Sequence, residues 1–291
     1  MTYLSQVTSG SSQEGQRIVI AAVEGAGKTT LIANAPRALL VPMENGYASI
    51  QTPRLPLVTK WSDLIGFMDE AKQAVQSGKA QFKTLAFDSA TALERLIHED
   101  VLSTDPDLVN ALKKKLELPK NLTMETAHGG YGKAYNLAND LFDKFTARCD
   151  ELARYGKINI CITSHVFASK VIDPVNGEYN TYDLLLHSPK NEKTYGKRER
   201  LTQWADGIFF LHEPLYVMKA EKGQTLVKAV SANQGRVLGL DRTPGYVAKN
   251  RYGLTGTIQI PPVNGWNYIA HSIQQSCGIN LWNYDVLEQG K

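Results

Sequence analysis

The sequence predicts an α/β fold in which a mostly parallel central sheet carries antiparallel C-terminal strands and an inserted hairpin. Three observations support this fold class. Short apolar, β-branched runs alternate with amphipathic segments of helical length before Gly207. Polar residues follow directly where several of these runs end, as at the functional edge of an open α/β sheet. From Gly207 onward, short strands are separated by proline, glycine or asparagine, which favours antiparallel pairing.

The composition is that of an ordinary globular protein. Of the 291 residues, 43% are hydrophobic and 21% are charged, a balance that allows a substantial core. The net charge of +3 is small, so nucleic-acid binding would depend on local basic patches rather than on a global field. The cysteines, Cys149, Cys161 and Cys277, are odd in number and lack C-x-x-C spacing, which argues against a disulfide framework or a zinc site.

The sequence also predicts the location of the protein and its division into parts. No apolar run approaches the ~18 residues of a membrane span, and the polar N-terminal stretch lacks a signal-peptide core. We therefore expect a soluble, cytoplasmic protein without a membrane partner. The expected parts are a flexible leader (1–16), one α/β domain (17–260) with a hairpin and basic loop inserted at about 166–200, and a C-terminal tail (261–291).

The stretch 17–34 predicts a phosphate-binding loop. A β-branched run leads into a small-residue loop that ends in Gly27-Lys28-Thr29, and a segment compatible with a helix follows. In this arrangement the loop amides point at the anion, the lysine reaches the β- and γ-phosphates and Thr29 ligates Mg²⁺. The pattern requires glycine where Ala22 stands, and a methyl group is tolerated there if φ is negative. The residues expected to contact ATP are Val23, Glu24, Gly25, Ala26, Gly27, Lys28, Thr29 and Thr30.

Two later strands are expected to end at the same edge of the sheet. The first, over 37–41, is followed by Glu44, which is either functional or an ordinary solvated carboxylate. After an amphipathic helix, a second run over 82–87 is followed by Asp88-Ser89. Downstream of a P-loop, an apolar strand that ends in aspartate predicts a Walker B carboxylate, which orients Mg²⁺ and its water. The alternative is a simple helix N-cap.

The segment 103–133 is predicted to be irregular, between a helix over 90–102 and a long helix over 134–155. It combines lysines with glycines and an aromatic residue, a composition suited to a loop that tracks single-stranded nucleic acid. The alternative is a solvated, charged face. The lysines of this predicted DNA contact are Lys113, Lys114, Lys115 and Lys133.

A buried strand over 157–163 then leads to Ser164-His165 at the P-loop edge. His165 or Ser164 is a candidate sensor of the γ-phosphate, and the alternative is a hydrogen-bonded loop histidine. A hairpin over 166–186 follows, and after it comes the densest basic patch of the chain. The members of this patch, which we expect to contact DNA, are Lys190, Lys193, Lys197, Arg198 and Arg200.

The order of these parts resembles that of the RecA-core P-loop ATPases. The P-loop is followed by strands ending in Glu44, Asp88-Ser89 and Ser164-His165, and then by antiparallel strands and Lys249-Asn250-Arg251. The resemblance covers 18–254 and is closest to the phage-encoded RecA-like single-strand annealing proteins. It implies a RecA-like NTPase core that uses ATP and Mg²⁺.

The resemblance assigns roles to residues of the nucleotide site. Lys28 and Thr29 match the Walker A lysine and the Mg²⁺ ligand, and Asp88 matches the Walker B aspartate. Glu44 matches the carboxylate that activates water.

Two further positions carry the resemblance beyond this site. His165 or Ser164 stands where RecA proteins have a glutamine that senses the γ-phosphate, a substitution that leaves the coupling of DNA to ATP open. Lys249 and Arg251 match a basic pair that enters a neighbouring subunit's ATP site, and no acidic run in the sequence lies near them. The separate DNA-binding and filament-forming appendages of full-length recombinases have no obvious counterpart.

The resemblance implies an ATP-dependent, single-stranded-DNA-binding ATPase of phage-type recombination or strand annealing. The expected partners are single-stranded DNA, further copies of the chain in a ring or filament with shared ATP sites, and a single-strand-binding protein. If a phage encodes the protein, the host cytoplasm is the expected location. Three alternatives stay open: a P-loop packaging or transport motor, a non-hydrolysing nucleotide-dependent binding module, and a small-molecule kinase.

Overall fold

A computed structural model describes residues 7, 9–10, 14–175, 177–189, 195–218, 228–231 and 235–279. Much of the predicted leader lies outside the described residues, and so do two of the predicted DNA contacts, Lys190 and Lys193. None of the helices in the described ranges is long and apolar enough to cross a membrane.

Up to β4, one or more helices separate each strand from the next. In chain order the strands are β1 (Arg17–Ala21), β2 (Ala38–Pro42), β3 (Thr84–Asp88), β4 (Asn159–Ser164), β5 (Val166–Asp173), β6 (Gly177–Leu184), β7 (Gly207–His212), β8 (Leu215–Met218), β9 (Lys228–Ser231), β10 (Arg236–Gly239), β11 (Lys249–Asn250) and β12 (Thr257–Ile260). The α-helices are α1 (Lys28–Ala33), α2 (Trp61–Gln76), α3 (Ala90–Ser103), α4 (Pro106–Lys114), α5 (Lys133–Gly156), α6 (Lys197–Trp204) and α7 (Gly265–Cys277).

The central sheet has eight strands in the order β12-β10-β7-β1-β4-β3-β2, with β11 paired to β7. Neighbouring strands are parallel within the set β1, β2, β3, β4 and β7. The pairs formed by β10, β11 and β12 are antiparallel. The predicted fold class, a mostly parallel sheet with antiparallel C-terminal strands, is confirmed. The predicted hairpin is present as β5 and β6, which pair with each other.

Both faces of the sheet are buried. Along β1, Ile18 and Ile20 face one core while Val19 and Ala21 face the other, as the period of two in a strand requires. Helices α2, α3 and α5 cover the second face, and α1 and α7 cover the first. Helix α7 belongs to the predicted tail, yet its Trp266 is fully buried.

The segment predicted to be irregular contains helix α4. Asp105 caps this helix by accepting from the backbone N–H groups of Asp107 (3.0 Å) and Leu108 (3.1 Å), and Pro106 occupies the first turn. The other oxygen of Asp105 accepts from the backbone N–H of His128 at 2.6 Å. The sequence did not predict helix α4 because its start signal, Asp105-Pro106, lies in a segment too short to show helical periodicity.

Candidate functional site

Parallel pairing brings the ends of four strands to one edge of the sheet. Ala21 at the end of β1 pairs with Ser164 at the end of β4, and β2 ends beside Asp88 of β3. The loops that follow parallel strands share one surface, because the carboxyl ends of the strands meet there. The P-loop therefore lies beside Glu44, Asp88 and His165, as expected from the sequence.

The P-loop between β1 and α1 depends on two glycines. Gly25 and Gly27 have φ angles of 74° and 89°, in the left-handed region that glycine occupies without strain. A side chain at Gly27 would also meet the guanidinium of Arg236, which would have to move aside. Ala22, the departure from the P-loop pattern, is fully buried and does not have a positive φ. Its methyl group therefore causes no backbone strain.

Lys28 is the cation of this site, and its side chain folds back onto the loop. Only 6% of the residue is exposed. Its Nζ donates to the carbonyl oxygens of Ala22 (3.1 Å) and Val23 (3.0 Å) and lies 3.5 Å from Nδ1 of His165. Burial lowers the pKa of Lys28, and the charges of nearby carboxylates oppose this shift.

The surroundings of Lys28 suit an anionic ligand. Among the described residues, no carboxylate lies within ion-pair distance of its ammonium group. No described hydrogen bond uses the backbone N–H groups of Gly27, Lys28 and Thr29. A buried ammonium held by neutral acceptors, next to free amide donors, can take a phosphate as its counter-ion.

Asp88 has the surroundings of a Mg²⁺ ligand. Thr29 Oγ1 donates to its Oδ2 at 2.8 Å, and Thr163 Oγ1 donates to its Oδ1. The residue is 3% exposed, and burial raises the pKa of its carboxyl group despite both hydroxyl donors. A cation between Thr29 and Asp88 would stabilise the carboxylate, so these residues fit Mg²⁺. In the described part of the chain, no group of three or more His, Cys, Asp or Glu could hold a metal.

Glu44 is linked to Lys28 through His165. Glu44 Oε1 lies 2.9 Å from His165 Nε2, and because a carboxylate only accepts, Nε2 carries the proton. Nδ1 is then free to accept from Lys28. Arg95 Nη2 lies 3.8 Å from the other oxygen of Glu44. Burial raises the pKa of Glu44, but the opposing interactions, led by the hydrogen bond from His165, outweigh burial and leave this pKa below its usual value.

This arrangement can bind a phosphate and take a proton from a water molecule beside it. The P-loop amides and Lys28 supply donors and positive charge, and Thr29 and Asp88 supply oxygen ligands. Glu44 is partly exposed and its lowered pKa keeps it ionised at neutral pH, so it can accept a proton. The remaining predicted contacts of the loop, Val23, Glu24, Ala26 and Thr30, are exposed or half-buried around it.

Three residues of the site were missed by the sequence reasoning. Thr163 was visible as a polar residue at the end of an apolar strand, and its hydroxyl meets Asp88. Arg95 lies one to two turns into the helix after Asp88, and no sequence signal distinguishes it from an exposed helical arginine. Arg236 donates to the carbonyl oxygen of Ala26 at 3.2 Å across 210 positions of sequence, and local patterns cannot reveal such a contact.

The predicted DNA contacts before α5 are placed on the surface. Lys113 and Lys114 end α4, and Lys115 follows them in a left-handed conformation. Lys133 begins α5 after a glycine-rich turn, and all four lysines are exposed. In the same turn Tyr131 is 98% exposed. These cations are available to a ligand, in a segment that is partly helical rather than an irregular loop.

The basic patch around α6 differs from its prediction. Lys197 is 0% exposed, and its Nζ lies 3.3 Å from Glu94 Oε1, so a DNA phosphate cannot reach it in this conformation. Arg198 is paired with Asp183 at 3.0 Å, and Arg200 is paired with Asp143. Lys197 is therefore removed from the proposed DNA surface, and neighbouring carboxylates partly neutralise the two arginines.

Lys249 and Arg251 lie at the other end of the sheet from the P-loop. Strand β11 pairs with the first residues of β7, which lie beside the start of β1. Both side chains donate to the carbonyl oxygen of Gln203, and Arg251 also pairs with Asp206 at 2.8 Å. No acidic run lies near this pair in the sequence, but folding brings the single carboxylate of Asp206 to Arg251 from a distant part of the chain.

A family model described as an AAA domain matches residues 14–252 of the chain. The matched range contains β1, the P-loop, the strands that end at Glu44, Asp88 and His165, and the antiparallel strands up to β11. No curated protein matches the chain.

Proposed function

This chain belongs to the AAA domain family of P-loop ATPases, and we propose that it is a RecA-like member that hydrolyses ATP on single-stranded DNA in phage-type recombination or strand annealing. One observation carries the proposal. Among the described residues, no carboxylate forms an ion pair with the buried ammonium of Lys28. Two carboxylates lie further away at the same edge: Asp88, whose pKa is raised, and Glu44, whose pKa is lowered. That arrangement provides a phosphate site, a metal ligand and a proton acceptor within one edge of the sheet.

In the proposed hydrolysis, each side chain of the site has a separate role. Lys28 exchanges its two carbonyl partners for the β- and γ-phosphates, which the free loop amides also bind. Thr29 and Asp88 would hold Mg²⁺, which when bound neutralises charge on the phosphates. Glu44 takes the proton of the attacking water, and His165 holds Glu44 in position while its other nitrogen faces Lys28.

Exposed lysines and Tyr131 support the DNA part of the proposal. A single strand is bound by cations that follow its backbone and by aromatic rings on which its bases stack. Lys113, Lys114, Lys115 and Lys133 provide the first feature, and Tyr131 provides the second. Arg198 and Arg200 contribute less in this proposal because Asp183 and Asp143 compete with phosphate for them.

The position of Lys249 and Arg251 supports an oligomer. In their own chain they lie at the far end of the sheet from Lys28, so they cannot contact a nucleotide bound there. If they act on ATP, they do so in a neighbouring copy of the chain, within a ring or filament. Arg251 would then have to exchange Asp206 for the phosphate of that neighbour. A single-strand-binding protein remains a further proposed partner, on the RecA-like resemblance alone.

The decisive experiment measures ATP hydrolysis with and without a dT oligonucleotide, and uses Lys28→Ala as the matched negative control. We expect hydrolysis that requires Mg²⁺ and Lys28 and that rises several-fold with the oligonucleotide. Hydrolysis indifferent to DNA would favour a packaging or transport motor or a small-molecule kinase. Nucleotide binding without hydrolysis would favour the non-hydrolysing binding module.

A further inference from the structure

Arg95 lies beside Glu44, yet the proposed hydrolysis gives it no role. It is in the second turn of α3, the helix that begins directly after Asp88-Ser89. Its side chain is 64% exposed, and its guanidinium forms no hydrogen bond to any of the described residues. The carboxylate that it faces is Glu44, whose Oε2 lies 3.8 Å from Nη2 of the arginine. An otherwise unpaired arginine at the proton acceptor of the reaction needs its own explanation.

The helix that carries Arg95 is fixed against the site through its first turn. Thr91 Oγ1 accepts from the backbone N–H of His165 at 3.4 Å and donates to the carbonyl oxygen of Leu185 at 3.2 Å. Residues four apart share one face of a helix, so Arg95 leaves α3 on the same side as Thr91, toward the end of β4. The backbone of Arg95 is therefore held in place, while its exposed side chain has room to turn toward a ligand.

The two carboxylate oxygens of Glu44 face different groups. Oε1 accepts from Nε2 of His165 at 2.9 Å, whereas Oε2 faces the guanidinium of Arg95. Oε2 is therefore the oxygen better placed to take a proton from water. Atoms 3.8 Å apart are too far from each other for a hydrogen bond, but one water molecule can bond to both. The contact between Glu44 and Arg95 thus has the dimensions of a site for a single water.

The hydrogen-bonding groups of Arg95 and Glu44 suit a water that attacks a phosphate. A guanidinium only donates and an ionised carboxylate only accepts, so together they fix one lone pair and one proton of the water. Its second lone pair is left to form the bond to the γ-phosphorus, while its proton passes to Oε2 of Glu44. The bond from the γ-phosphorus to the bridging oxygen breaks, and the electron pair stays on ADP.

We propose that Arg95 is a catalytic residue that holds the attacking water against Oε2 of Glu44. This inference rests on the proposed function, because the water has a target only when a nucleotide is bound at Lys28. The positive charge of Arg95 has a second effect on the same carboxylate. Burial raises the pKa of Glu44, and the hydrogen bond and charge of His165, together with the charge of Arg95, oppose burial and leave this pKa lowered.

The test measures single-turnover ATP hydrolysis and, separately, ATP affinity in Arg95→Ala and Arg95→Lys. The lysine variant keeps a positive charge and an N–H donor at the site. Arg154→Ala is the matched control, because Arg154 is also a helical arginine with an exposed side chain (59%) and a carboxylate oxygen, that of Glu14, at 3.8 Å. It lies in the last turn of α5, outside the proposed site.

We expect Arg95→Ala to slow the single turnover by on the order of 10²-fold, the size of loss that follows when a reacting group is misplaced. ATP affinity should stay close to that of the wild type, Arg95→Lys should recover part of the rate, and Arg154→Ala should not change it. The acid limb of the pH–rate profile should move to higher pH in Arg95→Ala, because Glu44 loses a nearby positive charge. In a Glu44→Gln background, Arg95→Ala should have little further effect, since both residues act on one water.

Three results would overturn the inference: a normal single turnover in Arg95→Ala, an equal loss in Arg154→Ala, or losses that multiply fully when Arg95→Ala is combined with Glu44→Gln. Failure of the proposed function is recognised separately, with the wild type and Lys28→Ala in the same assay. If the wild type does not hydrolyse ATP, or Lys28→Ala hydrolyses it equally well, the nucleotide site is wrong and the role of Arg95 is rejected with it. Hydrolysis that requires Lys28 but not Arg95 rejects the inference alone.

Discussion

Two clusters in this protein contain the same kinds of side chain but are built differently. The cluster at the P-loop contains Lys28, Glu44 and His165, and we call it the phosphate cluster. The cluster between α3 and α6 contains Lys197, Glu94, His98 and His187, and we call it the α3–α6 cluster. In the phosphate cluster a histidine separates the lysine from the glutamate. In the α3–α6 cluster the lysine and the glutamate are in direct contact at 3.3 Å.

The clusters also differ in the direction in which the pKa of the glutamate is shifted. Burial lowers the pKa of both lysines. The glutamates shift in opposite directions, because interactions led by the hydrogen bond from His165 lower the pKa of Glu44, while burial raises that of Glu94. The α3–α6 cluster pairs its ammonium directly with a carboxylate, whereas in the phosphate cluster His165 separates them, and in our proposal both are then available to a ligand. A buried lysine is thus a functional candidate when its counter-ion is missing, rather than because it is buried.

The largest expected effects come from removing each lysine in turn. Lys28→Ala should abolish ATP turnover and leave the free energy of unfolding nearly unchanged, because it removes a buried ammonium without leaving a carboxylate unpaired. Lys197→Ala should instead lower the free energy of unfolding by about 3–5 kcal/mol, because Glu94 loses its buried partner. Denaturant unfolding and ATP hydrolysis, measured on both variants, check whether one substitution mainly affects turnover and the other mainly affects stability.

A rescue variant sharpens the result for Lys197. Replacing the pair together, Lys197→Met with Glu94→Gln, should recover most of the stability lost in Lys197→Ala, because no charge of the pair remains and the amide oxygen can still accept from the backbone N–H of His187. Turnover in Lys28→Ala, or a stable Lys197→Ala protein that has lost ATP binding, would contradict the assignment of the two clusters.

The same substitution in the two glutamates gives the next largest effect. Glu44→Gln should bind Mg-ATP but hydrolyse it about 10²- to 10⁴-fold more slowly, since the amide keeps the shape and cannot take the proton. Glu94→Gln is the matched control and should hydrolyse ATP at close to the wild-type rate. Single-turnover hydrolysis with separate ATP-binding measurements distinguishes the two steps. If Glu44→Gln turns over normally, another group activates the water.

The sequence was informative where function depends on strand ends. Lys28, Glu44, Asp88 and His165 all follow apolar runs, and parallel pairing necessarily brings such positions to one edge. The mostly parallel sheet and its antiparallel extension were predicted from the same patterns.

Local sequence patterns do not show which basic residues are buried or paired with carboxylates in the folded protein. The sequence around Lys197 is that of a solvated basic patch, and only the packing of α6 against α3 buries this residue on Glu94. Arg251 meets Asp206, and Arg236 meets the P-loop, through contacts between residues far apart in the chain. Composition and charge runs describe the chain before folding, and long-range pairing then decides which cations remain available.

The smallest expected effect concerns acid stability, and it arises from His98 in the α3–α6 cluster. Burial lowers the pKa of His98 from 6.5 to about 3, and the positive charges of Lys197 and His187 add to this shift. The groups that face it are Glu94, whose Oε1 is 3.9 Å from Nε2, and Tyr135, whose ring is 5.9 Å away. The folded protein therefore keeps this histidine neutral at a pH where the unfolded chain binds a proton.

The sign of the pH dependence follows from that difference. A lowered folded-state pKa contributes stability that is present above pH 6.5 and is lost progressively as the pH falls toward 3. At pH 5 the loss from this one group is about 2 kcal/mol relative to pH 8. His98→Asn should remove that part of the acid sensitivity, and His271→Asn, in an exposed residue of α7, is the matched control. Denaturant unfolding at pH 8 and pH 5 measures the difference for each variant. An equal pH dependence in the wild type and His98→Asn would mean that His98 takes up its proton in the folded protein, and that the α3–α6 cluster is more open to solvent than its contacts indicate.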